Sequence, residues 1–468
     1  MSGLELIALL PILILVAGSC LVLMMATFAQ RRPVLIGTGI ASTLLAAVSA
    51  GIGPSEVQQI AGLFSASGYA RFFVILWCLT AALTLMFSSR WGNEDDFPSG
   101  EYTALVLFAA AGMGMLSSAI SLLGFFLGLE TFTLVLYILI AFHRNRDAGM
   151  EAGLKYLVLG AVATGFVAFA IALIYVASGT FALPDALLAL EGEHGLRSFG
   201  LMAWSLLLVA IGFKISLVPF HLWTPDVYQG APAPVSGLLS SGAKGAVLAS
   251  LVPLLYFASP EVLQLLSMMV LLSLVVGSFA ALRQSNVKRM LAFSSVVHMG
   301  YAVTALIAGG EAGRSALVFY IVVYAASNLG AFGVLATLAR DGVELQERHE
   351  LRGAGYFTPW RAGLLSFFML SLAGIPLTGG FIGKFGIFMA ALKADLVALA
   401  VFGVLASLLS VYYYFQVIMV MYMDAPEDAD FRAAAPPESA ALAVCFLTLL
   451  LLGIFPGGLI ELISRIVS

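Results

Sequence analysis

Apolar stretches about 20 residues long or longer follow one another from Leu4 almost to the end of this chain, with only short polar interruptions. A stretch of that length crosses the hydrocarbon core as a helix, and in lipid the backbone must satisfy its own polar groups. The chain therefore reads as an all-α polytopic membrane protein. Composition agrees: 61% of the 468 residues are hydrophobic and 10% are charged, where soluble domains carry about 25% charged residues. The net charge of −4 says little, because positive and negative residues sit in different loops.

Cutting at polar, Pro and Gly clusters gives about fourteen spans by the length rule. They run 4–28, 33–52, 69–89, 101–118, 121–142, 149–177, 200–227, 232–257, 260–283, 288–308, 312–339, 361–393, 396–423 and 439–464. The run from Leu4 to Phe28 has no basic residue before it, and Arg31 and Arg32 follow. It reads as a retained first helix whose start lies outside, not as a cleaved signal. Of the 22 Lys and Arg, four lysines lie inside the apolar stretches themselves, away from the span ends. With the start outside, five more (Arg71, Arg197, Arg314, Lys393, Arg465) fall outside and the remaining 13 inside. That excess follows the positive-inside rule.

Two spans are irregular. The seventh carries Pro219 and ends in Thr224-Pro225-Asp226; the twelfth has Gly374-Ile375-Pro376-Leu377-Thr378-Gly379-Gly380 in its middle. Proline removes a helix donor and clashes with the preceding turn, and broken backbone at membrane depth is tolerated only inside protein or beside a wet cavity. The two breaks are five helices apart, an odd offset that puts two five-helix units in opposite orientations, and each break has a lysine close by. This is the pattern of an inverted repeat with discontinuous helices 7 and 12. The expected organisation is one membrane domain over 1–468: helices 1–3 in 1–100, a first repeat of helices 4–8 in 101–258, a second of helices 9–13 in 259–424, and helix 14 in 425–468. The plain alternative is two unrelated proline kinks.

Inside the spans the cations are sorted. Lys155, Lys214, Lys244 and Lys384 lie in apolar stretches, and no arginine does. Arginine stays charged almost regardless of surroundings, while a buried lysine can release its proton. A charge in hydrocarbon is costly and needs a reason. Among the acids only Glu130 falls near the middle of a span. Lys214 is its natural partner, and moving the two together or apart would shift both proton affinities. A merely structural ion pair is the bland reading, although such pairs stabilise poorly compared with apolar packing. Lys244 sits mid-helix among Ser240, Ser241, Gly242, Ala243 and Gly245, which leave room for water. Lys384 follows the second break, where capping of exposed carbonyls is the competing role. Lys155 is about two turns from a loop, so snorkelling competes. His221 lies one heptad beyond Lys214, nearly on one helix face. Histidine suits proton hand-off near neutral pH; for His298, in helix 10, a satisfied buried ring is the alternative. Tyr320, Tyr324, Ser327 and Asn328 form a polar stripe on helix 11, fit to hold water or to join helices.

Cofactor chemistry has no footing in the motifs. Cys20, Cys78 and Cys445 are scattered, the five histidines lack metal spacing, and there is no GxGxxG or P-loop. No basic patch of nucleic-acid type appears.

The run Gly212-Phe213-Lys214-Ile215-Ser216-Leu217-Val218-Pro219-Phe220-His221-Leu222-Trp223-Thr224-Pro225-Asp226-Val227-Tyr228-Gln229-Gly230-Ala231-Pro232-Ala233-Pro234-Val235 closely resembles the subunit N family of proton-pumping NADH–quinone oxidoreductase, respiratory complex I. Gly380-Phe381-Ile382-Gly383-Lys384-Phe385, Gly153-Leu154-Lys155-Tyr156 and Ser294-Ser295-Val296-Val297-His298-Met299-Gly300-Tyr301 are similar too. The resemblance covers essentially the whole chain. It implies fourteen helices, inverted repeats and a proton path near mid-membrane, with Glu130 and Lys214 matching a glutamate–lysine pair and Lys155, Lys244 and Lys384 matching path lysines. Related antiporter-like subunits fit less well: one has glutamate where Lys384 stands, and another has a long C-terminal helix beside the membrane. Multisubunit sodium–proton antiporters share the Glu130, Lys214 and Lys384 pattern but lack the Thr-Pro-Asp-Val-Tyr run. Donor-linked and hydrogenase-linked complexes carry close relatives.

The expectation is thus a proton-translocating subunit in a bacterial cell membrane. It would hold no cofactor of its own, and its partners would be the other membrane and peripheral subunits, which carry flavin and iron–sulfur clusters. Protons would charge Lys214, pass Lys244 toward Lys384 and leave on the other side. The rivals are a sodium–proton antiporter subunit and a passive scaffold of the membrane arm.

Overall fold

The computed structural model describes residues 3–28, 31–53, 59–90, 97–143, 147–191, 194–340, 343–424 and 431–467. Arg144 and Arg146 of the inside tally lie outside the described residues. The elements are α1 (Gly3–Phe28), α2 (Arg32–Ile52), the hairpin β1 (Gln59–Ile60) and β2 (Phe64–Ser65), α3 (Gly68–Phe87), α4 (Ser99–Ser117), α5 (Leu122–Ile140), α6 (Asp147–Ser178), α7 (Leu183–Leu188), α8 (His194–Ile215), α9 (Trp223–Gly230), α10 (Ala233–Leu238), α11 (Lys244–Leu255), α12 (Pro260–Leu282), α13 (Val287–Ala308), α14 (Gly310–Thr337), the hairpin β3 (Ala339–Arg340) and β4 (Val343–Glu344), α15 (Ala354–Phe357), α16 (Pro359–Ala373), α17 (Gly379–Lys393), α18 (Val397–Met423), α19 (Pro436–Ile454) and α20 (Gly457–Val467).

Among the described residues, 12 helices are long and apolar enough to cross a membrane, with α10 and α11 counting as one. The protein is an integral, multi-pass membrane protein. The stretches 200–227 and 361–393 are the ones the fold breaks. One boundary is corrected: the last expected span, 439–464, ends at Ile454, and a separate amphipathic helix starts at Gly457. Pro456 has no N–H to continue the ladder, and two glycines follow it.

Burial separates a centre from a rim. In α14, 94% of the membrane window is buried, against 28% in α1. A spanning helix apolar on every side and buried on every side must be surrounded by protein. α10–α11, α13 and α14 form this centre. The rim helices expose aliphatic side chains, as α6 does with Leu154, Val158, Val162 and Val176.

Both breaks have local causes. α8 stops at Ile215 because Ser216 turns left-handed (φ 64°) and Pro219, which has no N–H to give the ladder, follows. The freed carbonyls of Gly212 and Phe213 are recovered by Leu217 N–H and Ser216 N–H, and the Trp223 indole also donates to Phe213 at 2.9 Å. α16 ends on Gly374 (φ 86°), and Leu377 is left-handed at φ 71°. Positive φ costs a non-glycine residue of order 1 kcal/mol or more, so surrounding structure must hold it. Gly380 makes the re-entry possible: a Cβ there would lie 1.8 Å from the Ser371 carbonyl oxygen.

Candidate functional site

At the first break, Lys214 is buried at the end of α8 and donates to Thr133 Oγ1 of α5 at 3.1 Å. Glu130 stands one turn before Thr133 on the same helix and accepts from Thr164 Oγ1 of α6 at 2.6 Å. The expected carboxylate and ammonium thus share one neighbourhood and feel each other's charge. They are not in contact in this state; Thr133 holds the lysine instead.

Lys244 opens α11 and has no exposed surface. A π-helical turn, Leu239–Ala243, precedes it. Such turns are rare and collect at functional sites. Lys244 donates to Ser295 Oγ of α13 at 2.7 Å and lies 5.1 Å over the Tyr228 ring and 5.7 Å over Trp223. The room expected around it is corrected: Gly242 is filled by Met113 and Gly245 by Trp77, at distances a Cβ would violate. The small residues serve close packing there, not water.

His298, in the middle of α13, is buried. Its Nδ1 meets the Tyr320 hydroxyl at 2.5 Å and its Nε2 the Tyr414 hydroxyl at 3.3 Å. Tyr414 also bonds Ser294. Lys384, one turn into α17, donates to Ser407 Oγ at 2.9 Å and to the Ala373 carbonyl at 3.0 Å. The latter is a carbonyl left open by the break, so the capping role is real. Its ammonium lies 4.9 Å over the Tyr301 ring. On the polar stripe, Ser327 bonds Ser371 at 3.0 Å. The Tyr324 hydroxyl and the Asn328 amide nitrogen have no partner.

Two expected placements are corrected. Lys155 is not buried: its side chain is 42% exposed and pairs with Glu151 at 2.7 Å and Asp226 at 2.9 Å. It lies close enough to the helix start for its flexible stem to reach those carboxylates. His221 is buried, but it lies in the break, beyond the end of α8, so the heptad argument that put it on the Lys214 face fails. The charged group near it is Lys244.

The sequence reading also missed a site. Lys288, placed in a loop, is fully buried at the start of α13. It pairs with Glu344 of β4 at 2.9 Å and donates to the Ala231 carbonyl at 2.5 Å. Glu344 in turn accepts from Ala233 N–H at 2.8 Å. The pair clamps the Ala231-Pro232-Ala233 joint between α9 and α10. Among the described residues no cluster of His, Cys, Asp and Glu could hold a metal ion.

This arrangement has known counterparts. Residues 119–410 match the family described as NADH:quinone oxidoreductase/Mrp antiporter, TM. The chain is 44% identical over 464 residues to NADH-quinone oxidoreductase subunit N of Geotalea uraniireducens, covering 97% of each. It superposes on a chain of respiratory complex I from Thermus thermophilus with bound aureothin at TM-score 0.84 and 33% identity, covering 97% of this chain and 99% of that one. A chain of the Mrp complex from Dietzia sp. superposes at TM-score 0.84 over 100% of this chain and 97% of that one, but at 20% identity it shares the fold alone. Match length, identity and fold agree: this chain belongs to the NADH:quinone oxidoreductase/Mrp antiporter membrane family, in its NADH-quinone oxidoreductase subunit N branch.

Proposed function

We propose that this chain carries protons across a bacterial cell membrane as the antiporter-like subunit N of a respiratory NADH–quinone oxidoreductase. Redox chemistry belongs to the partner subunits; this chain's residues bind, hold and pass protons. The observation that carries the reading is the kind of acceptor each buried lysine has. Lys214 rests on a threonine hydroxyl, Lys244 on a serine hydroxyl, and Lys384 on a serine hydroxyl and a carbonyl. A lysine fixed for structure alone would need a carboxylate to stay charged in low dielectric. Neutral oxygens accept from an ammonium and tolerate an amine, so these lysines can gain and lose protons.

In this reading a proton charges Lys214 under the influence of Glu130, moves to Lys244 and reaches Lys384 by way of His298, with His221 beside Lys244. The two breaks mark inverted five-helix repeats, 101–258 and 259–424. Support comes from packing: α4 lies most extensively on α5, and α12, its counterpart under the repeat, on α13. The start of α1 faces outside, as the positive-inside count suggests. Lys155 and Asp226 then lie at the inner face.

The test uses the assembled complex in sealed vesicles. Lys214→Ala or Glu130→Gln is expected to cut quinone-linked proton uptake about ten-fold or more, the scale of a positioned proton-transfer group. Wild-type pumping by both variants in an assembled complex would leave only the scaffold role. Transport that requires sodium would favour the antiporter reading that the Mrp branch of the family suggests.

A further inference from the structure

The carriers are not joined by direct hydrogen bonds. Lys244 reaches Ser295, His298 reaches Tyr320 and Tyr414, and Lys384 reaches Ser407 and the Ala373 carbonyl. Among the described residues no bond links one of these sets to the next. Each gap contains a tyrosine whose hydroxyl is buried and has no partner.

Tyr324 stands in the first gap. Its ring centroid is 5.1 Å from that of His298, and its hydroxyl stands beside the polar side chains of Ser295 and Asn328, outside good hydrogen-bond geometry with either. Asn328 Nδ2 beside it is partnerless as well. Tyr301 stands in the second gap. Its ring lies edge-on to His298 at 5.5 Å and carries Lys384 over its face at 4.9 Å. Its hydroxyl stands beside Ser407, the residue Lys384 donates to, outside good hydrogen-bond geometry with it. Buried hydroxyls in folded proteins are almost always bonded, to protein or to ordered water. Tyr324 and Tyr301 are among the buried hydroxyls without a partner, and they differ from the others in standing one in each gap of a single series.

We propose that Tyr324 and Tyr301 are positioning residues for proton transfer, each anchoring the bridging water that closes one gap. This rests on the proton-route reading above. A phenolic hydroxyl both donates and accepts. The proton leaving Lys244 as it becomes an amine passes to the water anchored on Tyr324, and that water protonates the Tyr320 or Tyr414 hydroxyl as the hydroxyl gives its own proton to the His298 ring nitrogen it bonds. His298 releases a proton through the same kind of hydroxyl relay to the water on Tyr301, which delivers it to the Lys384 amine. Each transfer moves one proton and leaves the tyrosine neutral.

Phenylalanine is the discriminating substitution, because it keeps the ring and removes only the hydroxyl. A purely structural tyrosine with an orphan hydroxyl loses nothing by the change, and the complex should be equally or more stable. In assembled complex in sealed vesicles, Tyr324→Phe and Tyr301→Phe are each expected to lower quinone-linked proton uptake about ten-fold. The thermal transition should be unchanged or higher, and the rate ratio between light and heavy water should rise as proton transfer becomes limiting. Wild-type pumping by both Phe variants, with Lys244→Ala inactive in the same vesicles, would overturn this inference and leave the route standing. Normal pumping by Lys244→Ala would sink the route and this inference with it. Losses that track a fall in thermal stability would also overturn it, as packing defects.

Discussion

Lys244 and Lys288 are equally buried and lie on neighbouring helices, yet they are held in opposite ways. Lys288 meets the Glu344 carboxylate at 2.9 Å and a backbone carbonyl at 2.5 Å. Lys244 meets one serine hydroxyl at 2.7 Å and the faces of two aromatic rings. The first is one half of a buried ion pair, and removing either partner would strand the other's charge in low dielectric. The second can exist as ammonium or amine, because a hydroxyl serves either as acceptor or as donor. Burial alone therefore does not mark a carrier in this protein. The acceptor does.

The largest expected effect falls on the locked pair. Lys288→Ala leaves Glu344 buried without its cation, a loss of about 3–5 kcal/mol. Thermal unfolding of the purified complex should show a lowered transition. Replacing both partners, Lys288→Met with Glu344→Leu, should recover most of it, because an apolar pair of similar volume is often neutral. If the double variant is as unstable as the single one, the clamp on the Ala231–Ala233 joint matters beyond its charges.

Lys244→Arg tests the other side of the contrast. A guanidinium keeps the positive charge but cannot give up its proton. Pumping should fall about ten-fold or more, although the charge remains. Retained pumping would mean that Lys244 acts only as a fixed charge, like Lys288. A smaller loss, about two- to five-fold, is expected for Ser407→Ala, the lower part of the net contribution of one ordinary hydrogen bond. Lys384 keeps the Ala373 carbonyl at 3.0 Å in that variant, and quinone-linked proton uptake is the measurement.

What the sequence disclosed follows from this physics. Lys214, Lys244 and Lys384 were legible because hydropathy locates a cation with twenty apolar neighbours on the chain, and both breaks were legible because Pro219, Pro376 and the flanking glycines act locally. Lys288 was not. It stands just after the polar run Arg283-Gln284-Ser285-Asn286, and it is buried by Glu344, which lies 56 residues away. The π-turn before Lys244 likewise leaves no local mark in Leu239-Ser240-Ser241-Gly242-Ala243. The orphan hydroxyls of Tyr301 and Tyr324 depend on how distant helices pack around them, which no local pattern shows. Pro456 was visible but was read as part of the last span, because the apolar residues resume beyond it.

Lys155 is the sharpest remaining case, because two arguments about it disagree. The resemblance to path lysines counts it as a carrier. Its geometry puts it with Lys288: it is bound by two carboxylates, Glu151 at 2.7 Å and Asp226 at 2.9 Å, and its side chain is 42% exposed. Exposed pairs of this kind contribute little. Asp226 also keeps Arg289 at 2.7 Å when Lys155 is removed. Lys155→Ala is therefore expected to have the smallest effect of the series, with proton uptake staying within about two-fold of wild type. A ten-fold loss, comparable to that of Lys244→Arg, would show that a carboxylate-bound lysine can carry protons here. The acceptor rule would then hold only for lysines sealed from water, and the inner mouth around Asp226 would have to be counted as part of the path.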